Sequence, residues 1–315
     1  MPTLKDIAKE AGVSGALVSY CLNGSKTIRI SKETRTRIEA AARKLNYHPN
    51  RLARSLRTGK SRNIGLLISN LSDPYFGHLA EEILEAAQNH DYSLIFGVTK
   101  CGSEDDKAKA MDFLMRAHID GLLTSLSLNG IPGAQLLRKN NIPVLRFSYQ
   151  EPGAISLLND VQDALNDACL CFKERGHRRM LSFFDNNFPW NALLPEAAKK
   201  AGIELTRKTY GPPTERQAIF QYVTEHRPQA ILLNGRILYE LLTHIESIGG
   251  YTPDIIAGID EFHPRRESPL IVGGILTDTT KKAQRGVELL IERLEHPELP
   301  REETILLPPG KFILY

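Results

Sequence analysis

The sequence predicts an α/β protein preceded by a small all-α module, and three observations carry that prediction. Residues 1–62 hold short, capped, amphipathic helical stretches, whereas from Asn63 onward short apolar runs alternate with helices. The charge divides at the same place. Residues 1–62 carry 14 Lys and Arg against 4 Asp and Glu, residues 63–315 carry 26 against 33, and the 315-residue chain ends at a net +3. A basic end on an acidic body is the asymmetry expected when one end meets phosphates.

The elements of the basic end follow in order. Thr3 and Asp6 form a capping pair, and Ile7, Ala8 and Ala11 then recur on one helical face, so a first helix starts near Leu4. Gly12 supplies a turn that needs positive φ, and Ser14 is placed to cap a second helix from about Gly15. Leu17, Val18, Cys21 and Leu22 make its inner face, which leaves Ser14, Gly15, Ala16, Ser19 and Tyr20 outward. Asn23-Gly24 ends it, and Ser31 with Glu33 opens a third helix carrying Ile38, Ala41, Ala42 and Leu45. Three short helices around one core, followed by basic residues, describe a helix-turn-helix reader of DNA. After it, Pro49 blocks continuation, Asn50 can cap a new helix, and Leu52, Ala53 and Leu56 share a face until Thr58-Gly59. A helix that short does not hold alone in water and should order only when paired with its mate on DNA.

In the body, Ile64–Ile68, Ser93–Phe96, Gly121–Leu123 and Pro143–Leu145 read as buried strands, with helices at Tyr75–Asn89 and Glu104–Ala117 among the segments that follow them. The pattern restarts after Asn159 with a helix at Val161–Gly176 and strands at Arg179–Phe184, Ala230–Asn234, Ile255–Ile259 and Ile271–Leu276. Two parallel sheets flanked by helices are the expected result.

Other classes of function are disfavoured by what the chain lacks. No stretch approaches the ~18 unbroken apolar residues of a membrane span, and the start has no apolar run, so a cytoplasmic, nucleoid-associated protein is expected. Cysteines at 21, 101, 169 and 171 are too few and too irregular for a disulfide framework or zinc site, and no metal or cofactor is expected. Gly59-Lys-Ser61 resembles the end of a phosphate-binding loop, but Arg54 stands where the earlier glycine is required. No nucleophile elbow or metalloprotease motif occurs, and Asp105-Asp106 and Glu302-Glu303 read as solvated helix starts and turns, so no enzyme is expected.

Residues 1–58 resemble the headpiece and hinge of the LacI/GalR family of bacterial transcription repressors, through Leu4-Lys-Asp-Ile-Ala8, Ala11-Gly-Val-Ser14, Val18-Ser19, Leu22-Asn23 and Asn46-Tyr-His-Pro-Asn50. The body resembles that family's two-lobe, periplasmic-binding-protein-like effector domain, through Ile64-Gly-Leu-Leu-Ile68, Asp73-Pro-Tyr-Phe76, Asp120-Gly-Leu-Leu123, Gly176-His-Arg-Arg179 and Gly258-Ile-Asp-Glu261. The resemblance implies a headpiece at 1–48, a hinge helix and linker at 49–60, and an effector and dimerisation domain at 61–315. It places a near lobe at about 61–158 and 279–300 and a distal lobe at about 159–278 and 301–315. It also implies a homodimer on a palindromic double-stranded operator, gated by a small molecule of the sugar or sugar-derivative kind in the inter-lobe cleft.

DNA contacts are expected from Thr3, Leu4, Ser14, Gly15, Ala16, Ser19, Tyr20, Asn23 and Arg29, and from the hinge residues Asn50, Arg51, Ala53, Arg54, Leu56 and Arg57. By the same resemblance, Leu56 would wedge into a central CpG step and bend the duplex. Leu17 and Tyr20 depart from the family's usual Thr and Arg; Gly15, Ala16 and Tyr20 match its base-reading positions, so by the resemblance this variation should alter the operator sequence rather than abolish DNA binding. Effector contacts are expected from Tyr75, Phe76, Ser125, Ser148, Trp190, Asn234, Asp260 and Asp278. Here too the sequence departs: Ser148 replaces a common acidic residue, and the segment Phe188–Leu194 lacks the Arg that often clamps hydroxyls. The alternatives are a regulator whose sensor cleft has degenerated, controlled by a non-sugar ligand or a protein partner, and a solute-binding or metabolic enzyme derived from the same two-lobe fold. The basic end argues against the latter.

Overall fold

The computed structural model describes the whole chain except residues 1, 23–28, 48–54, 56–58, 72–73, 100–102, 186–187, 211–212 and 261–267. Two compact units result, Met1–Ser61 and Arg62–Tyr315.

The first unit is built from its caps inward. Helix α1 (Leu4–Ala11) opens with a reciprocal capping box: Thr3 Oγ1 accepts from the Asp6 N–H at 3.4 Å and Asp6 Oδ2 accepts from the Thr3 N–H at 2.7 Å. It ends at Gly12, whose φ of +62° is the left-handed turn that glycine adopts most cheaply. Helix α2 (Gly15–Leu22) starts where Ser14 Oγ accepts from the Leu17 N–H at 3.2 Å. Helix α3 (Lys32–Lys44) starts at Ser31, whose Oγ accepts from Thr34 N–H. Between them lie Ile7, Ala8, Ala11, Val18, Cys21, Ile38, Ala41 and Ala42, all buried. Beyond α3, Gly59 N–H donates to the Ser55 carbonyl at 2.7 Å; the other hinge residues named above lie outside the described residues.

The second unit has two lobes, each a six-stranded sheet with helices on both faces. In the first lobe, β1 (Asn63–Ile68), β2 (Ser93–Val98), β3 (Gly121–Thr124), β4 (Val144–Phe147), β5 (Ile155–Asn159) and β11 (Glu303–Leu307) lie parallel in the order β11-β5-β4-β3-β1-β2. Ile64, Leu66 and Ile68 face the core beneath α4 (Pro74–Asn89) and α11 (Thr279–Glu295). Leu67 faces the other way, toward α5 (Glu104–Arg116) and α6 (Ala134–Lys139). Burial on both faces is why these strands read as unbroken apolar runs.

The second lobe orders β6 (Arg179–Asp185), β7 (Glu204–Tyr210), β8 (Ala230–Asn234), β9 (Asp254–Asp260), β10 (Ile271–Thr277) and β12 (Lys311–Leu314) as β12-β10-β9-β8-β6-β7. Helices α7 (Gln162–Glu174) and α8 (Trp190–Ala201) cover one face, and α9 (Pro213–His226) and α10 (Leu238–Ile248) the other.

Two details correct the sequence reading. Residues 301–315 do not all belong to the second lobe: β11 pairs with β5 in parallel, and Leu307 joins the first core. Only β12 crosses over, and it runs antiparallel to β10 in a sheet expected to be parallel. The reason is the direction of entry. The chain leaves β5, β10 and β11 at their C-terminal ends to change lobes, so a strand entering directly must run against its neighbours. The crossings are tied together where Gly310 N–H donates to the Asp160 carbonyl at 2.7 Å.

Candidate functional sites

Within the head, the residues expected to face DNA separate into two groups. Thr3 and Ser14 are exposed, but their hydroxyls cap α1 and α2, so they fix the helix starts as well as bordering the surface. Ala16 and Tyr20 lie one turn apart on the exposed side of α2, with Tyr20 41% exposed, while Gly15 and Ser19 are half-buried beside them. Leu4 is half-buried against the core, and Arg29 is exposed. Lys5, Lys9, Lys32, Arg35, Arg37 and Arg43 are also exposed. Asn23, Asn50, Arg51, Ala53, Arg54, Leu56 and Arg57 lie outside the described residues.

In the body, the strand ends of the two lobes present unlike walls. At three adjacent strand ends of the first lobe, the hydroxyls of Thr99 after β2, Ser69 after β1 and Ser125 after β3 are buried and have no hydrogen-bond partner among the described residues. Buried polar atoms are rarely left so, and a ligand or water is the usual occupant. Ser125 was expected here; Ser69 and Thr99 were not, although each directly follows an apolar strand. Tyr75 is half-buried at the start of α4, and its hydroxyl accepts from Lys282 Nζ at 3.2 Å. Lys282 is itself 1% exposed, with its ammonium 5.1 Å from the Tyr75 ring centroid, so a buried cation stands beside this wall.

The second lobe contributes aromatics instead. Phe188 stacks on Phe184, with centroids 5.2 Å apart, and meets Trp190 at the same centroid distance. Across the cleft, Tyr149 meets Phe188 edge to face at 6.4 Å. The sequence reading noted Phe188 only as lying in a segment without the family's Arg and missed Tyr149, because the two are brought together by the fold.

The remaining expected residues differ in role. Phe76 and Trp190, 5% and 6% exposed, are built into the two lobe cores. Ser148 takes φ +66° and donates its N–H to the Leu157 carbonyl at 2.8 Å. Asn234 is buried at the end of β8. Asp260 ends β9, and its side chain lies outside the described residues. Asp278 caps α11: Oδ1 accepts from the Lys281 N–H at 2.8 Å and Oδ2 pairs with Lys281 Nζ at 2.7 Å. Burial would raise the Asp278 pKa, but those hydrogen bonds outweigh it and hold the carboxyl below its ordinary value.

Comparison with known proteins agrees with this division. Residues 3–50 match the family model described as bacterial regulatory proteins, lacI family, and residues 61–233 match that of periplasmic binding proteins and the sugar binding domain of the LacI family. The HTH-type transcriptional repressor PurR of Photorhabdus laumondii is 34% identical over 100% of this chain and 99% of its own length. The ribose operon repressor of Bacillus subtilis is 36% identical, over 51% of this chain and 47% of that repressor. Among solved structures, the Lac repressor bound to ONPG in its repressed state superposes with a TM-score of 0.75 at 20% identity, covering 99% of this chain and 98% of that one, a likeness of fold.

Proposed function

We propose that this chain, which belongs to the lacI family of bacterial regulatory proteins, represses transcription as a dimer on a palindromic operator and is gated by a small molecule held between its lobes. It is a DNA-binding repressor with a ligand-binding domain, and not an enzyme. The observation that carries the reading is the head: two capped helices joined through a left-handed Gly12, with Ala16 and Tyr20 outward on the second. In that arrangement Tyr20 reads base edges, the basic side chains neutralise phosphates, and the two heads of a dimer occupy half-sites. The regulated genes serve carbohydrate metabolism, and the protein works in the cytoplasm.

Gating is a matter of differential affinity. A ligand that favours one arrangement of the lobes over another shifts the operator-competent population by that difference and no more. A second reading, favoured by the Tyr149–Phe188 contact across the cleft and by the missing Arg clamp, replaces the sugar with a non-sugar ligand or a protein partner.

Both readings are tested with the full chain and fragments of its own genome. Binding should select particular fragments, weaken steeply with added salt, and change its sequence preference in Tyr20→Ala. A flat salt profile, or a Tyr20→Ala variant that loses affinity equally for every fragment, contradicts the assigned roles. Calorimetry against sugars, sugar phosphates and nucleosides separates the sensors, since silence across all three favours the second reading.

A further inference from the structure

The first lobe holds a cavity of about 550 Å³ that none of the cleft residues described above lines. It lies where the loop after β3, helix α6 and the β4–β5 connection meet. Leu137, Ile142 and Val144 give it an apolar back, Arg138 and Arg301 border it, and Glu151 lines it from the β4–β5 side.

The charges there are unequal. Glu151 is 5% exposed and already engaged: one carboxylate oxygen pairs with Arg146, and the other accepts from the Leu128 N–H at 3.3 Å. Arg138, by contrast, donates to the Pro152 carbonyl at 3.0 Å, and Arg301 to Asn141 Oδ1 at 3.5 Å. Among the described residues neither guanidinium is in an ion pair, and nearby Glu302 accepts from the Gly153 N–H at 2.9 Å. Two uncompensated guanidinium groups over a half-apolar hollow suit a small organic anion, its acid group on the arginines and its carbon body against the back wall.

The same cavity touches a chain of contacts that ends between the lobes. Arg146, which neutralises Glu151, lies with its guanidinium carbon 4.8 Å from the Tyr149 ring centroid. Tyr149 in turn meets Phe188 of the second lobe at 6.4 Å, and Phe188 meets Trp190 at 5.2 Å. An occupant that shifts Glu151 therefore moves the cation holding Tyr149. We propose that this cavity is a second ligand site, taking a small organic anion, and that its occupancy alters the inter-lobe contact through Glu151, Arg146 and Tyr149.

The test uses the full chain, titrated by calorimetry with citrate and, separately, with glycerol 3-phosphate. Trp190 emission is followed in the same titrations, because Trp190 is the only tryptophan in the sequence. At least one anion should bind saturably and change the emission, and the preferred one tells a carboxylate site from a phosphate site. Arg138→Ala and Arg301→Ala, both at a solvent-facing border, should each weaken binding by about tenfold with unchanged circular dichroism. Tyr149→Leu should keep the binding and lose the emission change. Absence of saturable binding by either anion, or binding that survives both arginine substitutions, overturns the site. Binding with unaltered Trp190 emission overturns the link to the lobes.

Discussion

The head and the body bury apolar surface on different scales, and they depend on different things as a result. Eight buried residues hold the head among those described, and four of them are alanines. Each lobe of the body instead packs two apolar clusters against opposite faces of a six-stranded sheet. A unit as small as the head has little surplus burial, so its caps and its one left-handed turn carry a large share of its stability. The body can lose a contact and stay folded, which leaves its strand ends open to change without loss of the scaffold.

The sharpest way to break this contrast is to empty the head's core. Ile38 is fully buried on α3, and Ile38→Ala should cost about 2–5 kcal/mol. That is enough to unfold a marginal module. Calorimetry should then show a body transition unchanged and operator binding lost, whereas a body transition that falls with the head would show that the two units are not energetically separate.

Next in size is an overpacking change in the body. A Cβ on Gly258 would lie 2.5 Å from Trp190 Cη2, so Gly258→Ala must push the indole. The expected cost is about 1–3 kcal/mol, with a shift in Trp190 emission and no change in the head's transition. Unshifted emission would mean that the ring has room that this packing denies it.

A smaller effect, confined to the head, comes from Gly12→Ala. Its φ of +62° costs an L-residue about 1–2 kcal/mol. Denaturant unfolding followed in the head should register that loss, and a neutral result would mean the turn relaxes to negative φ.

The same contrast explains what could be read before the fold was known. Thr3 with Asp6, Gly12, Ser14 and Ser31 specify their turns and caps through neighbours within four positions, and such local rules are visible in a string of letters. Apolar runs such as Ile64–Ile68 are visible for a similar reason. Strand β7, with Arg207, Lys208 and Thr209 exposed at a sheet edge, has no such run and is not among the strands expected from the sequence. The lobe to which β11 belongs is set by β5, nearly 150 positions earlier, and Phe188 acquires Tyr149 only through the folded chain. Asp278 has a second, local role that the letters also carry: an Asp ahead of an amphipathic helix is a capping residue, and its carboxylate caps α11.

The smallest expected effect lies in the body and depends on pH. Asp254, at the start of β9, accepts from Arg175 Nε at 2.6 Å and Nη2 at 3.1 Å, and its Oδ2 lies 2.7 Å from His177 Nε2. Burial alone would raise its pKa, but the bonds from Arg175 and His177 outweigh burial and hold it below the ordinary 3.8. The folded state therefore keeps a charge that the unfolded chain loses first on acidification. The resulting stability is fully present above 3.8 and is lost as pH falls through the depressed value. Because the pair is partly open to solvent, Asp254→Asn should lower the body's stability at neutral pH by only about 0.2–1 kcal/mol. The gap between variant and parent should close in acid, while the head's transition stays where it was. A gap that persists below the ordinary carboxylate range would assign the loss to packing rather than to charge, and a shift in the head would undo the separation from which the other predictions start.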